Sequence, residues 1–379
     1  MDQRVFPEIK KNFGFGMMRL PMIGDNVDTE QVSRMVDAFL ENGFNYFDTA
    51  HGYINGKSEL AIRECLSSRH DRSEFLLTNK LTEPYFHSQE EIRPFFQSQL
   101  KACGVEYFDF YLMHAQNAVN FEHFKKCRAY ETAFELKKEG LIHHVGLSFH
   151  DKASVLDRIL TTYPEVEIVQ IQFNYVDFND ASVESRKCYE VCRKHNKPLL
   201  VMEPVKGGSL VNLPEKPAAV MDELRKSTGS DYSNANYAIR FAASFEGMEM
   251  ILSGMSNMEQ MMDNIRAMKD FKPLSDEEME GIKRVSDAFN AIDMIPCTGC
   301  RYCVEENHCP MDILIPDMFA CLNKKKTFND WNQDMYYSGV LTSSNGRASD
   351  CVGCGMCESV CPQHLPIREL LVRVAGQFE

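Results

Sequence analysis

The stretch FNYFDTAHGY, residues 44–53, begins as an apolar run and ends in polar residues. Its first half has the composition of a buried strand, and Asp48 and Tyr53 follow where that strand would end. Seven further runs of this kind occur, at residues 15–20, 74–80, 109–115, 143–149, 168–175, 198–204 and 248–254. Each run is short, almost continuously apolar and bounded by polar or turn residues, which is typical of buried parallel strands.

Amphipathic stretches lie between these runs. In residues 90–104, EEIRPFFQSQLKACG, the apolar side chains recur at helical spacing, and Gly104 follows where a helix would end. Eight strands that alternate with eight helices predict an α/β protein with a (β/α)8 TIM barrel. The rival fold is a doubly wound sheet, which is disfavoured because no G-x-G-x-x-G fingerprint follows any of the runs.

Length and charge limit the function classes. A chain of 379 residues with 44% apolar residues suits one large domain and one small domain. Its formal charge of −14, from 41 basic and 55 acidic residues, argues against nucleic acid and against anionic membrane surfaces. The first residues contain no apolar signal core, and no stretch reaches the roughly 18 apolar residues of a membrane span. We therefore expect a cytoplasmic protein with no nucleic-acid partner and no membrane partner.

Nine of the fourteen cysteines fall within residues 297–361, mostly in two runs that each end in Cys-Pro. The runs are Cys297-x2-Cys300-x2-Cys303-x5-Cys309 and Cys351-x2-Cys354-x2-Cys357-x3-Cys361. Three closely spaced thiolates can wrap one corner of a cubane cluster, and in two-cluster ferredoxins the fourth cysteine of each run serves the other cluster. This pattern predicts two [4Fe–4S] clusters. One would be held by Cys297, Cys300, Cys303 and Cys361, and the other by Cys351, Cys354, Cys357 and Cys309.

Structural zinc is the alternative for these cysteines. Zinc sites usually use pairs of C-x2-C, without a third cysteine three residues further on, so two triplets favour iron–sulfur clusters. Residues 311–350 separate the runs and include the helical segment MDILIPDMFACLNKKK, which resembles the helical ferredoxin-like domains of larger redox enzymes. We therefore predict a barrel over residues 1–290 and a small, mainly helical ferredoxin-like domain over residues 291–379.

Four chemically distinct side chains stand at the ends of three successive predicted strands: Asp48, Tyr53, Lys80 and His114. Because catalytic groups of a TIM barrel lie at the C-terminal ends of its strands, these four are candidates for catalysis. The set resembles the catalytic tetrad of the aldo-keto reductases, and residues 14–268 resemble that family. Together with the cysteine tail, the chain is similar to the microbial branch of the family that has a C-terminal iron–sulfur domain.

The resemblance implies reduction of a small-molecule carbonyl by NADP- or NAD-bound hydride. Tyr53 would donate a proton to the carbonyl oxygen, although a free phenol, with a pKa of about 10, is a poor acid near neutrality. Lys80 would favour the phenolate, and Asp48 would hold Lys80 in place. His114 would orient the carbonyl oxygen or share the proton transfer.

The same resemblance implies contacts to the nicotinamide. Ser148 and Gln170 match family residues that hold the carboxamide, whereas Phe149 stands where the family has Asn. Met202 occupies the place of the aromatic residue that stacks on the nicotinamide, which a polarizable thioether can also cover.

A further set of implied contacts follows the eighth strand. Residues 253–265, SGMSNMEQMMDNI, open a helix whose N-terminal amides would hold a phosphate. The implied cofactor-binding residues there are Ser256, Asn257, Gln260 and Asn264. Ser256 replaces the family Arg that holds the 2′-phosphate of NADP, so NADP and NAD both remain open.

Two functions remain open from the sequence. The first is an oxidoreductase that reduces a carbonyl, and the second is an iron–sulfur electron-transfer protein whose barrel is a docking or flavin-binding scaffold. Hydride moves two electrons at once, whereas each cluster normally moves one, and a flavin would join the two regimes. No flavin fingerprint is visible, and the redox partner protein is not specified by any motif.

Overall fold

A computed structural model describes residues 5–181, 183–305, 309–328 and 332–379. The chain forms two compact units. The barrel unit comprises residues up to Val205 together with Asp231–Met279, and the second unit comprises Lys206–Ser230 together with Glu280–Glu379.

Eight parallel strands form a closed barrel, in which each strand pairs with the next and the last pairs with the first. The strands are β1 Phe13–Gly16, β2 Tyr46–Asp48, β3 Leu76–Leu81, β4 Phe108–Gln116, β5 Ile142–Phe149, β6 Ile168–Gln172, β7 Leu199–Met202 and β8 Met248–Gly254. The predicted TIM barrel is therefore confirmed. The first strand lies two to four residues earlier than the run 15–20, because Phe13 and Phe15 face Phe39 of the first helix while Gly14 faces the crowded interior.

Helices connect the strands and continue beyond the last one. They are α1 Thr29–Glu41, α2 Lys57–Ile62, α3 Gln89–Cys103, α4 Ala118–Lys126, α5 Ala129–Lys138, α6 Ala153–Thr162, α7 Ser185–Lys194, α8 Glu215–Thr228, α9 Asn234–Ala243, α10 Met258–Met268 and α11 Asp276–Asn290. The apolar face predicted for residues 90–104 belongs to α3, and Gly104 ends that helix with a left-handed φ of 67°. A short antiparallel hairpin, Met22–Ile23 with Asn26–Val27, follows β1.

The lower interior of the barrel is apolar. Tyr46, Leu112, Ile168 and Leu200 pack there with Phe6 from the N-terminal segment. Because side chains of a strand alternate between its two faces, the residue two positions further along each strand faces the same interior. Those positions are occupied by Asp48, His114 and Gln170, which form a polar layer above the apolar one, and by Met202 at the border of that layer.

The second unit is mainly helical, as predicted. Besides α8 and most of α11 it contains α12 Tyr302–Glu305, α13 Ile315–Phe328, α14 Asn332–Tyr336, α15 Met356–Ser359 and α16 Ile367–Phe378. Its core is formed by Met318 and Phe319 of α13 against Leu371 and Val374 of α16, together with Ile313. Of the helices in the described ranges, none is both long and apolar enough to span a bilayer.

Candidate active site and cysteine cages

Lys80 connects three of the four predicted catalytic residues. Its Nζ donates to Asp48 Oδ1 at 2.7 Å, to the backbone oxygen of Thr49 at 2.8 Å and to the hydroxyl of Tyr53 at 3.2 Å. The Lys80 side chain is fully buried, and the Asp48 side chain is 5% exposed. Tyr53 is only partly buried, so its hydroxyl lies between the buried ion pair and the mouth of the barrel.

Burial and pairing act in opposite directions on this ion pair. Burial raises the pKa of Asp48, and the contacts with Lys80 and Gln170 counter that rise by favouring the carboxylate. Burial likewise lowers the pKa of Lys80, and Asp48 counters that change by favouring the ammonium. Neither charge would be stable here alone, so the two groups act as one net-neutral unit.

His114 lies beside Tyr53, with 6.0 Å between the ring centroids. Its Nδ1 is 2.8 Å from the hydroxyl oxygen of Thr82, a residue outside the predicted tetrad. Burial, followed by electrostatic interactions with Lys80 and His150, lowers the pKa of His114 well below its usual range. The imidazole is therefore neutral near neutral pH, and in the tautomer whose Nδ1 accepts from Thr82 the N–H is on Nε2.

An irregularity in β4 follows His114 directly. The register with β5 shifts between Met113 and Gln116, and Ala115 has a left-handed φ of 49°. The backbone N–H of Ala115 donates to Ser148 Oγ at 2.8 Å, which fixes this bulge against β5. Bulges beside active sites re-aim neighbouring side chains, and here the neighbour is His114.

The loop that carries Tyr53 is held by buried polar contacts. Thr49 Oγ1 lies 2.7 Å from Ser58 Oγ, which in turn donates to the backbone oxygen of Met17 at 2.9 Å. Ile54 and Asn55 follow Tyr53 with a left-handed φ of 53° each, so the chain turns sharply after the phenol.

Behind this loop is a buried network centred on Glu59. The Glu59 carboxylate accepts from Asn79 Nδ2 at 2.8 Å and from Gln99 Nε2 at 3.2 Å, and His51 Nδ1 lies 2.8 Å from its other oxygen. Gln99 also donates to the backbone oxygen of Lys80 at 3.0 Å. Isolated polar side chains in helices usually indicate an exposed face, so the sequence does not indicate that Glu59 and Gln99 are buried here.

The residues predicted to hold the nicotinamide lie in the same layer as the tetrad. Ser148 and Gln170 are buried at 1% and 2% exposure, and Gln170 lies next to Asp48. Met202, at the end of β7, is half-buried. Phe149 is buried, so the position where the family has Asn contributes to packing.

The four residues after β8 are engaged mainly in capping α10. Asn257 Oδ1 accepts from the backbone N–H of Gln260 at 2.9 Å, and Gln260 Oε1 accepts from that of Ser256 at 2.8 Å. Asn264 is buried and donates to Ser253 Oγ at 3.0 Å. A bound cofactor would therefore have to replace these internal hydrogen bonds with its own contacts.

Arg19 also belongs to this region, although it is not among the predicted cofactor-binding residues. Ser256 Oγ donates to its backbone oxygen at 2.8 Å, and its side-chain stem lies 3.2–3.4 Å from where a Cβ on Gly254 would be. Because β1 ends at Gly16 rather than at residue 20, Arg19 is a loop residue beside the start of α10.

The eight predicted cluster ligands line two cavities, which we name the cages. The first cage is lined by Cys297, Cys300, Cys303 and Cys361 around an open volume of about 330 Å³. The second cage is lined by Cys309, Cys351, Cys354 and Cys357 around an open volume of about 340 Å³. The fourth cysteine of each run thus lies with the triplet of the other run.

The chemistry of the cages suits clusters rather than single ions. Four sulfur donors surround a cavity in each cage, which is the donor set that a [4Fe–4S] cluster takes. The backbone N–H of Gly299 donates to Cys297 Sγ at 3.4 Å, a type of bond that stabilises cluster sulfur. Burial raises the pKa of Cys303 to about 12, so its thiolate needs the positive charge of bound iron.

Comparisons with known proteins agree with this division. Residues 12–287 match the Aldo/keto reductase family, and residues 296–366 match the 4Fe-4S dicluster domain. The chain therefore carries a domain of the type that holds two [4Fe–4S] clusters, in addition to its barrel.

Individual relatives are distant. The "Uncharacterized oxidoreductase YqkF" of Bacillus subtilis is 23% identical over 71% of this chain and 90% of its own length. Protein REDOX 2 of Catharanthus roseus is 26% identical over 75% of this chain and 91% of its own length.

Solved structures share the barrel. The aldo-keto reductase AKR11C1 of Bacillus halodurans superposes with a TM-score of 0.57, at 23% identity, over 72% of this chain and 91% of its own. An aldo-keto reductase of Klebsiella pneumoniae in complex with NADPH gives a TM-score of 0.56, at 17% identity, over 73% and 90%. The fold is thus shared, and the family match covers most of the chain. This chain is an oxidoreductase that belongs to the aldo/keto reductase family and carries an additional 4Fe-4S dicluster domain.

Proposed function

We propose that this enzyme reduces a small-molecule carbonyl with NAD(P)H, and that Tyr53 is the proton donor. The observation that carries the proposal is the position of Lys80 Nζ, 2.7 Å from Asp48 and 3.2 Å from the Tyr53 hydroxyl. An ammonium at this distance stabilises the phenolate that remains after proton transfer. A buried, paired lysine beside a half-exposed phenol is costly to build for structural reasons alone.

Each residue of the tetrad has one role in this scheme. Tyr53 gives its proton to the carbonyl oxygen, and the Lys80–Asp48 pair stabilises the charge left on the phenol. His114, neutral and held at Nδ1 by Thr82, donates Nε2–H to the same oxygen and orients the carbonyl. The nicotinamide, when bound, supplies hydride to the carbonyl carbon.

Two groups of residues support a nicotinamide cofactor. Ser148 and Gln170 lie in the polar layer next to His114 and Asp48, and Met202 borders that layer. Klebsiella pneumoniae relatives of the same fold are complexes with NADPH and with NADP. We propose that Arg19 provides the cation for the cofactor phosphates at α10, since Ser256 stands where the family has Arg.

We propose that the two cages ligate the clusters in the crossed pattern. The first cluster is bound by Cys297, Cys300, Cys303 and Cys361, and the second by Cys309, Cys351, Cys354 and Cys357. Residues 1–290 then carry the carbonyl chemistry and residues 291–379 the clusters. The clusters exchange single electrons with a redox partner protein. The surface of this chain that contacts the partner includes the exposed ligand Cys354.

A second candidate function is supported by the same cages. With two one-electron sites, the chain would serve as an electron-transfer protein whose barrel binds a flavin or a docking partner. Anaerobic titration of the reconstituted protein with NADPH, NADH and FMN separates the two candidates. Tight NAD(P)H binding favours the reductase, and FMN binding without NAD(P)H binding favours the alternative.

The substitution Tyr53→Phe tests the proposed catalytic role directly. We expect kcat for NAD(P)H-linked reduction of aldehydes or ketones to fall by about 10²–10⁴-fold, because the proton is needed only in the chemical step. Cofactor affinity, measured by fluorescence titration, should stay within about twofold of the parent.

The control is Tyr189→Phe, which removes a hydroxyl that donates to the backbone oxygen of Glu246. This variant should keep the parent kcat. If Tyr53→Phe reduces a good carbonyl substrate at the parent rate, Tyr53 is not the proton donor.

A further inference from the structure

One buried carboxylate connects the loop that bears Tyr53 with the strand that bears Lys80. Glu59 belongs to α2, the helix that follows this loop, and it is 1% exposed. A carboxylate is unfavourable in the interior unless hydrogen bonds satisfy it. The oxygens of Glu59 lie within hydrogen-bond distance of three side chains, one each from the loop, from β3 and from α3.

The first oxygen, Oε1, binds the strand. It accepts from Asn79 Nδ2 at 2.8 Å, and Asn79 Oδ1 accepts from the backbone N–H of Lys80 at 2.8 Å. It also accepts from Gln99 Nε2 at 3.2 Å, and the same nitrogen donates to the backbone oxygen of Lys80 at 3.0 Å. The hydroxyl of Tyr111 donates to Gln99 Oε1 at 2.5 Å, which fixes the orientation of that amide. Both backbone polar groups of Lys80 are therefore held by side chains that bind this carboxylate.

The second oxygen, Oε2, binds the loop. His51 Nδ1 lies 2.8 Å from it, and His51 precedes Tyr53 by two residues. The His51 ring also packs edge-on against Tyr85 and Phe95, with centroid distances of 4.5 Å and 5.0 Å. On the other side of Tyr53, its backbone oxygen accepts from the N–H of Ser58 at 3.2 Å, which joins the loop to the start of α2.

We propose that Glu59 is a positioning residue that sets the distance between the Tyr53 hydroxyl and the Lys80 ammonium. That distance is 3.2 Å in the structure, and Glu59 binds the two segments that carry these groups. The attraction between an ammonium and a phenolate weakens as they separate, so a displaced loop or strand would stabilise the phenolate less. The inference rests on the proposed proton transfer from Tyr53 to a carbonyl.

The experiment measures the reduction of benzaldehyde by NADPH in variants of the full-length protein. Glu59→Leu removes the bonds to both segments and should lower kcat by about 10–10²-fold, because small displacements of catalytic groups cost rates of that order. The Kd of NADPH should stay within about twofold of the parent. His51→Phe removes only the loop contact, keeps a ring against Tyr85 and Phe95, and should lower kcat about tenfold.

Two further variants separate position from charge and from stability. Glu59→Gln keeps an oxygen for Asn79 and Gln99 and an amide group for His51, so its kcat should stay within about threefold of the parent. Glu278→Leu is the matched control, because Glu278 is a buried carboxylate that accepts from Arg240 at 2.8 Å and 3.2 Å. It should lower the free energy of unfolding and keep the parent kcat.

The coupling between Glu59 and Tyr53 is the readout that a merely structural role would not change. In the Tyr53→Phe background, Glu59→Leu should alter the residual kcat by less than about twofold, because no phenol remains to be aligned. An equal loss in both backgrounds would mean that Glu59 supports the fold in general, which would overturn the proposal.

Other results would also decide against it. A folded Glu59→Leu protein with the parent kcat would contradict the positioning role, and so would a Glu59→Gln protein as slow as Glu59→Leu. If Glu59→Leu does not fold, His51→Phe and its coupling with Tyr53→Phe decide in the same way. If the parent does not reduce the aldehyde, or if Tyr53→Phe keeps the parent kcat, the proposed function itself fails, and this failure is distinct from that of the Glu59 variants alone.

Discussion

At the scale of single residues, the buried Lys80–Asp48 pair dominates the site. It lies below a half-exposed phenol and beside an imidazole whose pKa is lowered, so four ionisable groups share a small volume. Their protonation states are therefore interdependent, and a change to one side chain alters the pKa values of the others.

The substitution Lys80→Met should destabilise the fold as well as abolish activity. It leaves the Asp48 carboxylate buried and unpaired, which typically costs about 3–5 kcal/mol in the free energy of unfolding. Adding Asp48→Asn should recover much of that loss without restoring activity. Urea unfolding measures both effects.

Arg34→Met provides the control, because it breaks the exposed pair with Glu30 and should leave the unfolding free energy nearly unchanged. A Lys80→Met variant as stable as Arg34→Met would mean that the ion pair is not buried as described.

His114 should make stability depend on pH in a defined direction. Its folded pKa lies well below the ordinary value of 6.5, so the unfolded chain binds more protons in the interval between the two. The stability associated with neutral His114 is complete above the ordinary value and is lost as the pH falls toward the folded pKa. We expect His114→Gln to flatten the decline in unfolding free energy from about pH 8 to about pH 5.

The control for this measurement is His87→Gln, which changes an exposed histidine and should keep the parent's pH dependence. Identical slopes for the parent and for His114→Gln would contradict a neutral, buried His114.

At the scale of elements, the strands align the site through their two-residue alternation. Gly146 and Ser148 of β5 face the barrel interior, and the first of them allows close approach of the neighbouring strand. A Cβ at position 146 would lie 2.6 Å from the backbone oxygen of Ile168 and equally close to Leu112 Cδ2. The absence of a side chain at Gly146 thus determines how β5 and β6 fit below Ser148 and Gln170.

We therefore expect Gly146→Ala to lower the free energy of unfolding by about 1–3 kcal/mol, because a backbone atom cannot yield as a flexible side chain would. Activity should fall as well, since Ser148 would shift. Gly376→Ala is the matched control in α16, where an added Cβ meets no atom within 4 Å. There the same change should stabilise the helix by roughly 0.5–1 kcal/mol. Equal effects at the two positions would contradict the close strand approach.

The elements also show which structural features can be predicted from the sequence. The barrel follows from eight apolar runs, and the approach of Asp48, Lys80 and His114 follows from parallel strands that end at one edge. The position of Thr82 could also have been predicted, because it continues the alternation of Thr78 and Lys80 just beyond the end of β3. The Glu59 network could not be predicted from the sequence, since burial of polar groups between a helix and the barrel wall leaves no periodic signal.

At the scale of the whole molecule, two kinds of electron chemistry are joined in one chain. The barrel belongs to a family of oxidoreductases, and its proposed reaction moves two electrons as hydride. The dicluster domain provides two one-electron sites, so its full capacity equals one hydride. The capacities match, but the steps do not, because a hydride cannot enter a cluster without a group that accepts the pair and releases single electrons.

This mismatch leads to a prediction for the loaded protein. Under anaerobic conditions, dithionite should bleach the visible absorption of the clusters with about two electrons per chain. NADPH or NADH alone should leave that absorption unchanged, even when the nicotinamide is bound, because neither tetrad nor cages contain a group that splits an electron pair. A trace of FMN should enable bleaching by NADPH, since a flavin exchanges both electron pairs and single electrons.

The control is a Cys354→Ser protein, in which a ligand of the second cage is altered and the dithionite capacity should fall toward one electron. If NADPH bleaches a preparation that is free of flavin by fluorescence, then the chain itself converts hydride to single electrons, and the barrel and the clusters form one electron path.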